Sequence, residues 1–175
     1  MLSDCHRRIE KFLNVLISVA AEGGELNEDR RAGLDTALLY FRQSAPKHTR
    51  DEEDSLFPRM LAHPQAQMLI ARLDALQSDH ATADAAHSEV DSLGREWLAK
   101  GRLDEEAAQC LRESLDKLRS IYERHIAEED NEIFPLAAKV LGRDEIESIA
   151  REMASRRLVE LDERMMPAHW PSSRE

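Results

Sequence analysis

Apolar residues recur at helical spacing along most of the chain. Ile9, Phe12, Leu13, Leu16, Ile17 and Ala20 follow one another by three or four positions, the stripe of an amphipathic helix running from about Leu2 to Ala21 and stopping at Gly23-Gly24. A second helix starts after Asn27, an N-cap residue, and runs through "ALLYF" to Met60 or Leu61, with a disturbance expected at Pro46. "HPQ" at His63 to Gln65 reads as a turn. The third helix then covers "AQMLIARLDALQSDHATADAAHSEVDSLGREWLAK" and ends at Gly101. Asp104 caps a fourth that continues to Gly142, and a short fifth follows over about Asp144 to Leu161. Four long helices with short connections predict an all-α, antiparallel up-down-up-down four-helix bundle with a short fifth C-terminal helix. Residues 1–141 make the bundle, and residues 142–175 are read as part of the same domain.

Composition adds that 24 basic and 35 acidic side chains leave a net charge of −11. That balance argues against a nucleic-acid backbone or an anionic membrane as partner and favours cations. The longest apolar runs are too short to span a bilayer, and the opening "MLSDCHRRIEKF" lacks the features of a secretory signal, so a cytoplasmic location is expected. Cys5 and Cys110 are too few for a disulfide framework or a thiolate metal site. His63 and His169 read as surface residues, and Trp97 and Trp170 as packing groups.

One segment is written twice. "HTRDEEDSLFP", His48 to Pro58, returns as "HIAEEDNEIFP", His125 to Pro135, with histidine, glutamate at plus four, a second acid and Phe-Pro all displaced by 77 positions. Residues i and i+4 share a helix face, so His48 with Glu52, and His125 with Glu129, each aim an imidazole and a carboxylate at one place. That donor pair suits iron, manganese and zinc. His6 lies in the apolar stripe of the first helix, and His80 follows Leu69, Leu73 and Leu76 on one face of the third, so each long helix offers one inward histidine. Counting residues from the turns brings His80 level with His125. It leaves Glu52 about 8 Å out of step with His80, and fits His6 to His48 less well. Glu53 and Asp130 read as solvated or as supporting neighbours, and the rest of "DEED" as a solvated face.

The order His6, His48-x-x-x-Glu52 with "LFP", His80, and His125-x-x-x-Glu129 with "IFP" resembles the hemerythrin-like family of His/His/Glu cation-binding bundles over residues 1–141. The resemblance implies a centre of two non-haem iron ions, with manganese or zinc as substitutes. His6, His48, His80 and His125 would be its terminal ligands, with Glu52 and Glu129 bridging. Oxygen-carrying members have a second histidine on the third helix where this chain has Asp84, and close the fourth-helix motif with an aspartate at plus five, here Asp130 beside Glu129. The chain is thus similar to the histidine-poorer bacterial branch. Asp84 either supplies the missing ligand or orients an imidazole. His87 is a buried residue or lines a channel, and Tyr122 is a core tyrosine, a donor to a bound oxygen species or an iron ligand. The function implied is binding of dioxygen, peroxide or nitric oxide for storage or sensing. The alternative is an enzyme that decomposes peroxide or nitric oxide. A ferritin-like site is disfavoured, because that architecture places glutamate three residues ahead of histidine.

Overall fold

The computed structural model describes residues 2–165, without the side chains of 158–165, so His169 and Trp170 lie outside the described residues. All regular structure among these residues is helical. Helix α1 spans Leu2–Glu22, α2 Glu28–Gln43, α3 Ala45–Arg50, α4 Phe57–Leu61, α5 Ile70–Lys100, α6 Glu105–Glu128, α7 Phe134–Val140 and α8 Arg143–Met165. Two π-helical turns, Asp51–Leu56 and Glu129–Ile133, and a 3-10 turn at Pro64–Leu69 join some of them. Helix α1 packs on α2 and α6, and α5 packs on the same two, which closes the ring of a bundle.

The punctuation expected from the sequence is present. Asn27 Oδ1 accepts from the Arg30 N–H at 2.8 Å, and Asp104 Oδ1 from the Ala107 N–H at 2.8 Å, each satisfying an orphan donor of the first turn. Gly101 ends α5 at φ 79°, a left-handed conformation that a side chain would strain. The expected disturbance at Pro46 is a break: α2 stops at Gln43, and Pro46 sits in the first turn of α3, where its missing N–H costs nothing.

Helix boundaries correct two of the heights expected from counting. Residues 66–69 belong to the 3-10 turn and not to the third helix, so the stretch from Ile70 to His80 nearly equals the stretch from Glu52 to Leu61. Glu52 and His80 therefore come level after all. In the first hairpin, His6 to the end of α1 at Glu22 is shorter than the start of α2 at Glu28 to His48. The difference amounts to ~6 Å along the axis, well within reach of the connection 23–27.

Two apolar clusters fill the bundle. One joins Ile9, Leu13, Leu16, Leu34, Leu38, Val90, Trp97 and Leu115, toward the connections at Gly23 and Gly101. The other joins Leu56, Phe57, Met60, Leu73, Leu76, Ile133, Ile149 and Met153 at the opposite end. Each fully buried leucine or isoleucine contributes ~1.5–3 kcal/mol, so both ends hold firmly. In sequence, the buried polar residues other than Ser114 fall near where one cluster gives way to the other.

Candidate metal centre

The repeated motif has a backbone consequence that helix propensity alone hides. After each histidine the helix widens: the Phe57 N–H bonds to the Glu52 carbonyl and the Phe134 N–H to the Glu129 carbonyl, both five residues back. Pro58 and Pro135 come next, where the ladder returns to α spacing, and neither has an N–H to commit it. The Phe-Pro close therefore marks a π turn beginning at or just before each glutamate. Turns of this kind gather at functional sites.

Six buried side chains meet at this level. Glu52 and Glu129 are each 0% exposed. His48 Nε2 is 3.2 Å and His6 Nε2 3.8 Å from Glu52 Oε1, while His6 Nε2 lies 3.1 Å from Glu129 Oε2. Across the site, His80 Nε2 is 3.5 Å from Glu52 Oε2, His125 Nε2 is 3.3 Å from Glu129 Oε2, and the two Nε2 atoms are 3.1 Å apart. Two sets result, His6, His48, Glu52, Glu129 and Glu52, His80, His125, Glu129, each offering one ligand atom per residue with all four atoms within 4.8 Å of one another. The two glutamates belong to both.

The orphaned atoms test whether this set fits cations. Both oxygens of Glu52, both of Glu129 and Nε2 of His6 are buried with no aligned hydrogen-bond partner among the described residues, despite the short distances. Imidazole edges and carboxylates thus face a common space and are not aimed at one another as donor and acceptor. Buried carboxylates left this way are costly unless a cation compensates them. The residues fit a metal centre, and at least one set of four could hold an ion.

The second acid of each motif crosses to a neighbouring helix. Glu53 Oε1 is 2.8 Å from His80 Nδ1, and Asp130 Oδ1 is 3.2 Å from His6 Nδ1 while accepting from Ser3 Oγ at 2.7 Å. Carboxylates in this position fix the tautomer and orientation of a ligating imidazole. Asp79 Oδ2 stands 3.6 Å from His125 Nδ1, and Phe134 stacks on His6 with centroids 5.3 Å apart.

Charge is balanced internally. Burial pulls His6 down, but the close approach of the Glu129 and Glu52 carboxylates more than reverses it and lifts its pKa to about 10. Burial likewise opposes protonation of His80, yet Glu52, Glu53 and Glu129 raise it to about 9. For Glu52, burial is outweighed by His48, His6 and His80, which hold its carboxyl well below the usual range. His48 is pushed down, by burial and then by His6 and His80.

A family model, the hemerythrin HHE cation-binding domain, matches residues 1–137. The chain belongs to that family. Its matched span ends inside α7 and contains both motifs and both sets of converging residues. An uncharacterized protein of Haemophilus influenzae is 30% identical over 168 residues, covering 91% of this chain and 89% of that protein. Cation binding is thus the function that family and geometry share. Among the described residues no helix is long and apolar enough to cross a membrane.

The remaining sequence candidates lie elsewhere. Asp84 is exposed, belongs to neither set, and lines a cleft beside His87. His87 Nε2 is 2.7 Å from the Tyr122 hydroxyl. Asp51 was hidden in the acidic run: it is 0% exposed, and Arg156 Nη1 and Arg157 Nη2 of α8 donate to its two oxygens at 2.9 and 2.6 Å. Ser55 donates to Glu152 at 2.6 Å and accepts from Arg156 at 2.7 Å. Helix α8 therefore grips the π turn that carries Glu52. The only sequence signal was an Arg-Arg pair on the last helix.

Proposed function

We infer that the six residues form one di-iron centre in an alternating up-and-down bundle. His6 and His48 serve one ion, His80 and His125 the other, and Glu52 and Glu129 are shared. The observation carrying this reading is that the two four-residue sets have both buried glutamates in common. Two carboxylates against two divalent ions leave positive charge unneutralised. Four protein donors per ion also leave room for a small oxygen-type ligand: dioxygen, peroxide or nitric oxide. Iron would supply redox and Lewis-acid chemistry. The chain would supply the oriented imidazoles, through Glu53 and Asp130, and a water-poor site between two apolar clusters. Manganese and zinc suit the same donors.

Turnover of peroxide is the second reading, favoured by the part-buried His87–Tyr122 pair, which the ligand set does not use. Iron analysis and a visible spectrum after iron-replete expression test the centre, with about two irons per chain expected. Adding peroxide separates the readings: sustained oxygen release supports turnover, and one stoichiometric colour change supports binding.

A further inference from the structure

A cleft of about 380 Å³ opens between α2–α3 and α5, with Phe41, Arg42, Pro46, Asp84, His87 and Asp91 among its lining. Arg42 Nε pairs with Asp91 Oδ1 at 3.0 Å, so the two charges of that pair cancel and Asp84 is left. Such a lining disfavours small anions and admits neutral polar molecules.

His87 connects this cleft to the bundle interior. Its ring stacks on Phe41 with centroids 4.5 Å apart, which fixes its plane. Nε2 meets the Tyr122 hydroxyl at 2.7 Å, while Nδ1, on another edge of the ring, is buried with no partner among the described residues. Tyr122 lies three residues before His125, on the same face of α6. Burial pushes His87 down to about 4, so the imidazole is neutral at pH 7. Burial, then the charges of Asp84, Tyr40 and Glu52, push the Tyr122 hydroxyl up, so it keeps its proton. Donation by the phenol to Nε2 places the hydrogen of His87 on Nδ1.

We propose that this cleft admits a small hydroxylic molecule, water or hydrogen peroxide, and that His87 relays protons between it and Tyr122 beside the metal centre. The proposal rests on the metal-centre reading above. In the outward direction the Tyr122 proton passes to Nε2 as the Nδ1 proton passes to an oxygen in the cleft, which a small movement of the lining must first bring against the buried Nδ1. Tyr122 regains a proton from a water molecule on its inner side, and the ring must exchange its Nε2 hydrogen for one on Nδ1 before it relays again. The imidazole ends with the charge it began with, and one proton has crossed the wall.

Nitrogen-15 NMR of the zinc-loaded protein reads the tautomer without any turnover. A neutral His87 protonated on Nδ1 is expected, with the preference lost in Tyr122→Phe, whereas protonation on Nε2 in the parent protein overturns the relay. The second measurement is the rate of spectral change when reduced, iron-loaded protein is mixed with hydrogen peroxide. His87→Phe and Ser88→Trp, the latter placing an indole at the cleft from an exposed position, are each expected to slow it at least tenfold at unchanged iron content. His87→Ala should be partly rescued by added imidazole. Parent-like rates in His87→Phe overturn the relay, and parent-like rates in Ser88→Trp overturn the access route, each leaving the metal reading intact. A parent protein that takes up no iron overturns the metal reading and this proposal with it.

Discussion

Glu52 and Glu129 explain most of the site's chemistry because burial leaves them nothing but imidazoles and cations to face. In the metal-free protein His6 and His80 answer that demand by holding protons, with pKa values raised to about 10 and 9. A histidine raised above its unfolded value of ~6.5 contributes stability that is complete below that value and lost as pH climbs through the folded one. Glu52 works in the opposite sense: its lowered pKa contributes stability above ~4.5 that disappears as pH falls. Thermal melts of chelator-treated protein should therefore lose stability progressively from about pH 6.5 to about pH 10, while zinc-loaded protein, in which cations replace the protons, should not. Parallel decline of both forms would show that His6 and His80 do not carry the balancing protons.

At the scale of elements, the π turns and α8 decide where the glutamates point. Pro135 withholds an N–H from the Asn131 carbonyl four residues back, so Pro135→Ala offers the chain a continuous α ladder through the motif. The expected result is metal affinity weakened on the order of tenfold, as for other changes that disturb how a ligand is oriented, with the metal-free melting temperature held or raised. Unchanged affinity by zinc titration would sink this role for the Phe-Pro close. Asp51→Ala removes the acceptor of Arg156 and Arg157 and leaves Arg156 poorly solvated beside a void, while Arg157, 39% exposed, can turn to solvent. Losing one partner of a fully buried ion pair costs ~3–5 kcal/mol, and the solvent reached by Arg157 lowers the figure here to about 2 kcal/mol. Urea unfolding should show a loss of that order, and a loss under ~1 kcal/mol, the range of surface pairs, would mean that α8 is not clamped there.

What was legible in the sequence follows the same division. Apolar stripes, the caps at Asn27 and Asp104, and the stop at Gly101 could be read because each is a local signal with a local cause. The duplicated motif picked out His48, Glu52, His125 and Glu129 by frame, and stripe position added His6 and His80. The π turns stayed hidden, since Asp51–Leu56 and Glu129–Ile133 carry residues that suit an α-helix and only the trailing prolines hint otherwise. The 3-10 turn at Pro64–Leu69 was hidden for a similar reason, and reading its residues as α-helix put Glu52 and His80 at different heights. Asp51 was illegible because its partners lie more than 100 residues away on α8. Glu53 and Asp130 stood open between solvent and support, and only the neighbouring helices decide that they support His80 and His6.

For the whole molecule, the six residues lie where two apolar clusters meet and tie all four long helical stretches together at one level. Cations held by these residues would link the entire bundle, and the net charge of −11 favours their capture. The most direct test is metal stoichiometry per chain, by titration of the purified metal-free protein, for the parent and for Glu129→Ala. Because both glutamates serve both sets, the parent should bind two ions and Glu129→Ala should weaken both. A parent that saturates at one ion, or a Glu129→Ala protein that still binds two with parent affinity, would contradict a shared-carboxylate centre.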